Sequence, residues 1–521
     1  MQQIIIHTHS GQRLETTVSP GLTLAQAVFL LGLWQGVPLC AGLGKCGLCR
    51  VRFRSNPPAP LAQETKRLGN EAVAQGWRLS CLHPANPCEI ELPQPSRAAL
   101  PEQSREPERE TESPAPSPPI RLAVDLGTTS VQWTALQEGQ PVASGKSLNP
   151  QLGLGSEIMT RLAFALRPGG ADILRRLILD RLREIIASLP GPVERLCIAG
   201  NPTMTGLLLG HDLRGLAAAP YRLDEPCGRD FELAPDLPPA YVPPHLAPFV
   251  GADISAGLAA LTLAPETHPA YPLLLADLGT NGEFILALSP ESLLCASVPM
   301  GPALEGVGLR FGRTAGPGAI TGFTLTPSGP KHTYFHNNPD GPAGMTGTGH
   351  LSLVALLLRV GLLTPEGAFA QPASPLANKL AAQLTSLDGE PAFRVTDDIL
   401  LPASDVEEIL KVKAAFNLAL SRLLLEAGLA PGGLASLHLA GAMGEHAAMA
   451  DLETLGFLPS SLLPLSHKAG NTSLAGAELL LTSPALRERL SRLPAPRVLD
   501  LASDHAFGSQ FLHRMVFRHV L

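Results

Sequence analysis

Four cysteines in the N-terminal part of the chain have the residue type and spacing of a metal-binding set. Three lie close together in the segment CAGLGKCGLC at 40–49, and the fourth ends the segment GWRLSC at 76–81. Such a set can hold a [2Fe–2S] cluster, because glycines in the loop let backbone amides approach the cluster sulfurs. Zinc is the main alternative, but a zinc ribbon usually has two Cys-x2-Cys pairs and this set has one. We predict that the cluster is held by Cys40, Cys46, Cys49 and Cys81, and zinc or unliganded thiols remain the alternatives.

The flanking sequence predicts the elements that would position these cysteines. Thr23 is predicted to cap a helix that runs to about Leu33. Strands are predicted at 2–7, 13–18, 50–53 and 89–92. This order of elements resembles a β-grasp ferredoxin domain, and the cysteine spacing resembles the plant-type pattern with one more residue in the first interval. The resemblance implies that Cys81 is the fourth ligand. Cys88 is interpreted as a spare thiol, and a substitute ligand is the alternative.

A second chemical pattern occurs twice in the rest of the chain. The segment LAVDLGTTSVQWTAL at 122–136 recurs as LLADLGTNGEFILAL at 274–288. In each copy an apolar strand ends in Asp, Leu-Gly-Thr forms a turn, and a second apolar strand follows. Glycine lets the backbone approach a phosphate, threonine supplies a hydroxyl and an amide, and the aspartate can hold Mg²⁺ or its waters. The repeat predicts two hairpins that clamp a nucleotide, and the alternative is two unrelated hairpins.

Roles for individual residues follow from this interpretation. Asp125 and Asp277 are predicted to bind Mg²⁺ and position water. The residues predicted to cradle phosphates are Gly127, Thr128, Thr129, Gly279, Thr280 and Asn281. Glu283 and Glu305 are candidates for orienting a hydrolytic water, with a structural carboxylate as the alternative at each position. Asp253 is a further candidate for a residue that faces the nucleotide.

The repeated hairpins resemble those of the actin-like ATPase superfamily, which includes sugar kinases, acetate kinase and the ATPase domain of heat-shock chaperones. The resemblance implies two ribonuclease-H-like α/β lobes around a nucleotide, with one phosphate hairpin on each lobe. It also implies an adenosine-binding glycine turn, for which the segment LHLAGAMGEH at 437–446 is the candidate. Gly441 and Gly444 would then admit the adenine or ribose, and an ordinary strand-to-helix turn is the alternative.

The combination of both parts is similar to the reductive activators of corrinoid proteins. The stretches that match that family's pattern are 149–151, 200–204, 250–253, 301–306, 317–320 and 470–477. The segment GMTGTG at 344–349 departs from it, with threonines where a Gly-Ser-Gly turn is expected. The resemblance covers the chain apart from a linker.

This resemblance implies an ATP-hydrolysing iron–sulfur redox activase of a methyltransferase system. Such an enzyme passes one electron through its [2Fe–2S] cluster and reduces Co(II) to Co(I) in a corrinoid protein. The implied cofactors are the cluster, ATP and Mg²⁺. The implied partners are a corrinoid (cobalamin-binding) protein and an upstream low-potential electron donor, and the family resemblance also favours a homodimer.

Domain boundaries follow from composition. Residues 93–119 are rich in proline and charge and cannot bury a core, which predicts a linker. The predicted organisation is a ferredoxin-like domain at 1–92, this linker, a first ATPase lobe or middle domain at 120–265, and a second, C-terminal lobe at 266–521. The fold class that the resemblances imply is an α+β β-grasp domain followed by an α/β actin-like, two-lobed ATPase.

Charge and hydropathy exclude some partners. The net charge of −7 leaves no basic footprint for nucleic acid, and no apolar run reaches the ~18 residues that a membrane helix requires. No secretion signal is recognised at the N-terminus, and eight cysteines in 521 residues favour a reducing compartment. We expect a cytoplasmic protein.

Two other function classes are compatible with these motifs. One is an ATP-driven electron donor to another low-potential metalloenzyme, although such activases typically carry a [4Fe–4S] cluster between subunits. The other is a chaperone-like, nucleotide-gated binding or assembly factor, although the chain has no counterpart of the chaperones' peptide-binding domain. A small-molecule kinase would not need a cluster. Fold-level analogy does not decide among these function classes, so the choice among them depends on the cluster cysteines.

Overall fold

A computed structural model describes most of the chain. The described residues are 2–18, 21–34, 37, 39–40, 42, 44, 47–93, 103–104, 118–265, 267–301, 303, 306, 308–327, 329–335, 341–501 and 504–520, with the backbone alone at 103–104, 442–443 and 445. Cys46, Glu305 and most of the predicted linker at 93–119 lie outside the described residues.

The described residues form strands and helices that are numbered in chain order. The strands are β1 (Gln2–His7), β2 (Arg13–Val18), β3 (Arg50–Phe53), β4 (Trp77–Leu79), β5 (Cys88–Glu91), β6 (Gln103–Ser104), β7 (Ile120–Leu126), β8 (Ser130–Gln137), β9 (Gln140–Leu148), β10 (Val193–Ala199), β11 (Arg229–Phe231), β12 (Ala240–Val242), β13 (Leu273–Leu278), β14 (Asn281–Ser289), β15 (Ser292–Pro299), β16 (Ala319–Thr326), β17 (Gly329–Tyr334), β18 (Gly344–Met345), β19 (Leu384–Leu387), β20 (Glu390–Arg394), β21 (Leu400–Pro402), β22 (Ser436–Ala440), β23 (Ser466–Gly470) and β24 (Arg497–Leu499). The helices are α1 (Leu24–Leu30), α2 (Ala62–Leu68), α3 (Asn70–Ala74), α4 (Ile158–Ala165), α5 (Gly170–Ala187), α6 (Pro202–Leu209), α7 (Arg214–Ala217), α8 (Ala252–Thr262), α9 (Gly347–Arg359), α10 (Pro375–Ala381), α11 (Ala403–Glu426), α12 (Gly441–His446), α13 (Met449–Thr454), α14 (Thr472–Thr482), α15 (Pro484–Ser491) and α16 (Phe507–His513).

The elements belong to two compact units that are interleaved in the sequence. The first unit comprises 1–101, 150–156 and 305–409, and the second comprises 102–149, 157–304 and 410–521. None of the helices in the described part of the chain is both long enough and apolar enough to span a bilayer.

The N-terminal part of the first unit has the predicted β-grasp ferredoxin fold. Its sheet has the order β2-β1-β5-β3-β4, in which β1 and β5 are parallel and the other neighbours are antiparallel. The predicted bounds of β1, β2 and β3 are confirmed, and β5 begins and ends one residue earlier than expected. Thr23 caps α1 through a capping box, because its hydroxyl accepts from the Gln26 amide and Gln26 Oε1 accepts from the Thr23 amide.

Helix α1 ends at Leu30 rather than near Leu33, which corrects the predicted bound. The next residues form a turn that reaches Gly32, whose φ of +80° lies in the left-handed region that glycine adopts without strain. The rest of the first unit contains two small sheets with the orders β17-β16-β18 and β19-β20-β21.

The second unit contains two larger sheets, which correspond to the predicted α/β lobes. One has the order β11-β12-β10-β7-β8-β9-β6 and the other has the order β23-β22-β13-β14-β15-β24. In each sheet an antiparallel meander of three strands begins with the strand that ends in the DLGT sequence, and a parallel strand pairs with its free side. The sequence repeat is therefore a repeat of topology, and the predicted fold class is confirmed.

Helices α8 and α14 pack against the first of these sheets and against each other. Apolar side chains from both helices share one buried cluster with strands β7 and β10, which includes Ala123, Ala199, Ala256, Ala477 and Leu480. The helices approach so closely that a Cβ added at Gly476 would lie 1.9 Å from the Ala256 carbonyl oxygen. This packing places the N-terminus of α14 beside the end of β7, where Asp125 lies.

Candidate functional site

The two DLGT hairpins meet at their threonines. The hydroxyl oxygens of Thr129 and Thr280 lie 3.0 Å apart and share a hydrogen bond in a buried setting. Thr128 Oγ1 accepts a 3.0 Å hydrogen bond from Asn201 Nδ2, and the Gly127 carbonyl accepts a 2.8 Å bond from Asn149 Nδ2. The residues predicted to bind phosphate from both hairpins are thus neighbours in space, which a nucleotide clamp requires.

The first hairpin also depends on glycine at its turn. A Cβ added at Gly127 would lie 2.8 Å from the Ser130 carbonyl oxygen, which is closer than a real side chain allows. In the second hairpin the Gly279 amide donates to the Asn281 carbonyl, and the Thr280 carbonyl accepts from the amides of Met300 and Gly301. The first turn therefore requires glycine, the second is held by backbone hydrogen bonds, and the hydroxyls of Thr129 and Thr280 face one another.

Asp125 is half-buried and oriented by the N-terminus of α14. Its Oδ2 accepts a 2.8 Å hydrogen bond from Asn471 Nδ2, and its Oδ1 accepts a 2.9 Å bond from Ser473 Oγ. Burial raises the pKa of Asp125, and the bonds from Asn471 and Ser473 oppose that rise. Asn471 is also the N-cap of α14, because its Oδ1 accepts from the Leu474 amide. Neither Asn471 nor Ser473 was singled out from the sequence.

Three further carboxyl groups share the electrostatic environment of Asp125. Burial, with a contribution from the charge of Asp125, raises the pKa of Asp253 to about 7. Burial raises the pKa of Glu283 well above its usual value, and the charges of Asp253, Asp277 and Asp125 raise it further. Glu283 Oε1 is buried and has no hydrogen-bond partner among the described residues. Neighbouring negative charges therefore disfavour the ionisation of Asp253 and Glu283, and a divalent cation would favour it.

The same acidic groups do not form a preassembled metal cage. Among the residues that the structure describes, no three His, Cys, Asp or Glu side chains are arranged to hold one metal ion. Asp277 and Glu283 lie near each other because β13 and β14 pair directly at these residues.

The predicted adenosine turn lies beside the second hairpin. Strand β22 pairs in parallel with β13, so that Ala440 is opposite Asp277 and Gly441 follows immediately. Gly441 has a φ of +74°, and a Cβ there would lie 2.6 Å from Asp277 Oδ1. A Cβ at Gly444 would lie 2.1 Å from the Leu439 carbonyl oxygen. Glycine is required at both positions because neighbouring atoms lie too close for a side chain. Gly441 also leaves room beside Asp277, the predicted nucleotide-binding aspartate.

Three of the four predicted cluster cysteines come together in the first unit. Cys40, Cys49 and Cys81 are buried and line one cavity. A hydrogen bond with Cys81 is the largest cause that raises the pKa of Cys49, followed by burial and by the charges of Cys81 and Cys40. Cys88 is not among the residues that line the cavity, and burial raises its pKa to about 11.

The donor set and the loop both fit an iron–sulfur cluster. Thiolates are the ligands that such clusters use, and the cavity is lined by two thiols from the loop at 40–49 and one from Cys81. The loop glycines Gly42, Gly44 and Gly47 have φ values of +106°, +65° and +73°, which side-chain-bearing residues rarely adopt. The Cys49 carbonyl accepts bonds of 3.1 Å and 2.6 Å from the Ser80 amide and hydroxyl, so the loop is tied to the segment that carries Cys81.

Several residues outside the cysteine pattern complete this environment. Glu64 is fully buried and accepts from the Leu79 amide at 2.7 Å and from the Leu61 amide at 2.9 Å, while His83 Nε2 lies 2.9 Å from its Oε1. It thereby supports the strand that leads to Cys81. The sequence contains no capping signal for Glu64, because its N-cap residue Leu61 has no side-chain acceptor.

A second contribution comes from the segment 150–156, far from the cysteines in sequence. Gly153 lines the same cavity as Cys40, Cys49 and Cys81. Ser156 Oγ donates a 3.1 Å hydrogen bond to the Cys40 carbonyl. Only the tertiary structure identifies these residues, because no local pattern connects them with the cysteines.

Comparison with known proteins gives consistent matches across the chain. Residues 120–266 match the family model described as the RACo middle region, and residues 272–520 match the one described as the C-terminal domain of RACo, the ASKHA domain. The chain is 27% identical over 426 residues to the corrinoid activation enzyme RamQ of Eubacterium limosum, covering 76% of this chain and 70% of that protein. It is 26% identical over 435 residues to the [Co(II) methylated amine-specific corrinoid protein] reductase of Methanosarcina barkeri, covering 75% and 73%.

Two further comparisons concern the overall fold and a short segment. A solved structure titled as a reductive activator for corrinoid, iron–sulfur protein aligns with a TM-score of 0.68 and 21% identity, covering 100% of this chain and 99% of that one. A stretch of 73 residues is 33% identical to a component of the Na⁺-translocating NADH-quinone reductase of Chlamydia trachomatis, covering 14% of this chain and 17% of that protein.

Proposed function

Because this chain belongs to the family of reductive activators of corrinoid proteins, we propose that it uses ATP to reduce Co(II) to Co(I) in a corrinoid protein of a methyltransferase system. The observation that carries the proposal is the meeting of the two phosphate hairpins at Thr129 and Thr280, on the same chain as a buried cavity with three thiols. The electron comes from an upstream low-potential donor and ends on the cobalt of the partner.

The cysteine loop is the place where the electron is held. Cys40, Cys46, Cys49 and Cys81 are proposed to bind a [2Fe–2S] cluster, which supplies one-electron transfer when bound. Buried thiols and the bonds from Ser80 to the Cys49 carbonyl exclude water and fix the loop. Plant-type clusters have potentials near −400 mV, and each ~59 mV of deficit costs a factor of about ten in a one-electron equilibrium. A more strongly reducing step therefore needs a second source of free energy.

The two hairpins are the proposed binding site of ATP, which would supply this additional free energy. The residues proposed to cradle the phosphates are Gly127, Thr128, Thr129, Gly279, Thr280 and Asn281. A phosphate that enters here would replace the Thr129–Thr280 hydrogen bond with bonds to both hydroxyls. ATP can favour a protein state only through its different affinity for two states, and two hairpins that move apart or together provide such states.

The acidic groups are proposed to hold Mg²⁺ and to position water for hydrolysis. Both carboxylate oxygens of Asp125 already accept hydrogen bonds from Asn471 and Ser473. Asp125 is therefore better suited to bind the water molecules around a hydrated Mg²⁺ than to replace several of them as a direct ligand. Asp277, Asp253 and Glu283 are the other members of the proposed set. Glu283 is the proposed residue for water orientation, because its unpartnered Oε1 is buried beside three acidic groups. Glu305 remains a second proposed candidate outside the described residues.

The proposed adenosine site is the turn at Gly441 and Gly444, beside Asp277. The proposed domain organisation is a ferredoxin-like domain at 1–92, a linker at 93–119, and ATPase lobes at 120–265 and 266–521. A homodimer, an upstream donor and a cytoplasmic location belong to the same proposal.

The test is an anaerobic absorbance assay with a Co(II) corrinoid protein, a low-potential reductant and this protein. We expect the Co(I) absorption band to grow only when both ATP and this protein are present. The Asp277→Asn variant should show no ATP-dependent Co(I) formation and keep the visible spectrum of its cluster. The exposed Asp398→Asn change is the matched control and should behave as wild type. Active ATPase and a reduced cluster without Co(I), across several corrinoid proteins, would contradict the proposal and direct attention to another low-potential acceptor.

A further inference from the structure

The segment 150–156 lies between β9 and α4, yet it packs with the N-terminal domain. The structure groups it in one compact unit with 1–101. Gln151 and Ser156 are fully buried, and Leu152 and Leu154 are each 1% exposed. A surface connection would leave such residues in solvent, so this segment has a packed position of its own.

The closest contact of the segment is with helix α1 of the ferredoxin-like domain. A Cβ added at Gly153 would lie 2.2–2.6 Å from three ring atoms of Phe29. Phe29 is 3% exposed, so its ring has little freedom to move away. Only glycine at 153 therefore allows this approach.

The segment also reaches the cysteine loop itself. Gly153 lines the cavity of Cys40, Cys49 and Cys81, and Ser156 Oγ donates a 3.1 Å hydrogen bond to the Cys40 carbonyl. Gly153, which lies outside the ferredoxin-like sequence, thus lines the cavity in which the cluster is expected, and Ser156 is bonded to one of the cysteines that line it.

The residue that precedes the segment is held by the first phosphate hairpin. The Asn149 amide donates to the Thr129 carbonyl at 2.8 Å, and Asn149 Nδ2 donates to the Gly127 carbonyl at 2.8 Å. Both acceptors belong to the turn that is proposed to cradle a phosphate. Asn149 is followed directly along the chain by this segment, of which residues 151–156 are buried.

We propose that residues 150–156 form a strap that covers the cluster cavity at Cys40, and that nucleotide bound at the hairpin of Gly127 and Thr129 changes this cover through Asn149. The coupling part of this inference rests on the proposed nucleotide site, whereas the cover itself does not. The strap gives ATP a route to control access to the cluster, because packed contacts such as Gly153–Phe29 are either made or broken.

The test measures the accessibility of the cluster in the full-length protein, without any corrinoid partner. The iron-loss rate is followed anaerobically by the absorbance of the complex formed with bathophenanthroline disulfonate. Gly153→Ala should lose iron at least tenfold faster than wild type, because the added methyl group displaces the strap from Phe29. Gly432→Ala is the matched control, since a Cβ there meets nothing within 4 Å, and it should match wild type.

Two further variants test whether faster iron loss in Gly153→Ala comes from a general folding defect. Ser156→Ala removes only the hydrogen bond to Cys40, so it should fold normally and increase the iron-loss rate about threefold. Combining Gly153→Ala with Phe29→Leu makes room for the methyl group and should restore a slow rate. Iron loss at the wild-type rate in both Gly153→Ala and Ser156→Ala would overturn the strap.

A second experiment tests the coupling to nucleotide. The iron-loss rate is measured again with saturating Mg²⁺ and a non-hydrolysable ATP analogue, whose binding is measured separately by calorimetry. We expect at least a tenfold change in the iron-loss rate of wild type and less than a twofold change in Asn149→Ala at analogue concentrations that saturate the variant. Bound analogue without any effect on wild type would overturn the coupling and leave the cover in place. Failure of the analogue to bind wild type would instead contradict the proposed nucleotide site.

Discussion

The carboxylate of Asp125 shows how much a single site residue depends on its neighbours. Both of its oxygens accept hydrogen bonds from the start of α14, and Asn471 serves at the same time as the N-cap of that helix. An amide is suited to both tasks, since its oxygen accepts from the helix backbone and its nitrogen donates to the carboxylate. At this scale, one side chain caps a helix and also bonds the proposed site residue, so we expect its loss to affect both stability and the site.

Asn471→Ala should therefore have two effects of different origin. Loss of the N-cap should cost about 1 kcal/mol in the free energy of unfolding, and loss of the bond to Asp125 should raise the KM for ATP several-fold. Ser374→Ala is a matched control, because Ser374 caps α10 through the Ala377 amide and belongs to the first unit. Thermal unfolding and ATPase kinetics on both variants make the measurement. Similar losses of ATP affinity in the two variants would contradict a role for Asn471 at the site.

Cysteine variants can likewise distinguish a ligand of the cluster from a spare thiol. Cys81→Ser should lose the cluster, because serine is a poor ligand for iron and Cys81 lines the cavity with Cys40 and Cys49. Cys88→Ser should keep it, because Cys88 lies on β5 and is not among the residues that line the cavity. Iron content and the electron paramagnetic resonance signal after anaerobic reconstitution and reduction decide the question. Cluster loss in Cys88→Ser at unchanged circular dichroism would require a different ligand set.

At the scale of elements, the contact of α8 with α14 positions the site. Gly476 of α14 and Gly257 of α8 both lie where a Cβ would collide, with the Ala256 carbonyl oxygen at 1.9 Å and with Thr472 Oγ1 at 2.7 Å. Small residues let these helices approach closely, and α14 then delivers Asn471 and Ser473 to Asp125 at the end of β7. The position of the carboxylate partners is therefore a consequence of helix packing.

Gly476→Ala should push these helices apart. The added methyl group would clash with backbone, which cannot rotate away, so we expect a loss of about 1–3 kcal/mol in the free energy of unfolding. Gly508→Ala in α16 has no atom within 4 Å of the added group and should be stabilising by about 0.5–1 kcal/mol. Chemical denaturation monitored by circular dichroism measures both. A neutral Gly476→Ala variant would show that the helices can separate without cost.

For the whole molecule, the buried acidic groups are expected to make the free energy of unfolding depend on pH. The pKa of Asp253 is raised to about 7 in the native state, against about 3.9 in an unfolded chain. Between these values the native state binds more protons than the unfolded state, so the free energy of unfolding falls as the pH rises from about 4 to about 7. The raised pKa of Glu283 acts in the same direction.

The predicted pH dependence can be tested by thermal unfolding of the nucleotide-free protein between about pH 4.5 and pH 7.5. Asp253→Asn should reduce the decline and stabilise the protein at the upper end by a few kcal/mol, since each pKa unit is worth about 1.4 kcal/mol. Mg²⁺ with nucleotide should flatten the wild-type profile, because a bound cation stabilises the ionised carboxylates. The exposed Asp398→Asn variant should follow the wild-type profile. An Asp253→Asn variant with an unchanged slope would contradict the assigned charge interactions.

The sequence by itself determined the features that depend on neighbouring residues along the chain. The bounds of β1, β2 and β3, the cap at Thr23 and the two DLGT hairpins follow from turn chemistry, capping and apolar periodicity, which act over a few residues. The fold class could be predicted from the sequence because the repeated hairpin and the cysteine spacing are local patterns, and both resemble those of known families. The end of α1 was predicted less well, because the turn at Gly32 decided it.

Only the tertiary structure decided which distant residues complete each site. Asn471 and Ser473 lie more than 300 residues from Asp125, and Ser156 lies 116 residues from Cys40. Such pairs leave no local pattern, because they are brought together by the packing of α14 on α8 and of the strap on α1. Burial then sets the electrostatics of Asp253 and Glu283, since the cost of a buried charge depends on everything that surrounds it.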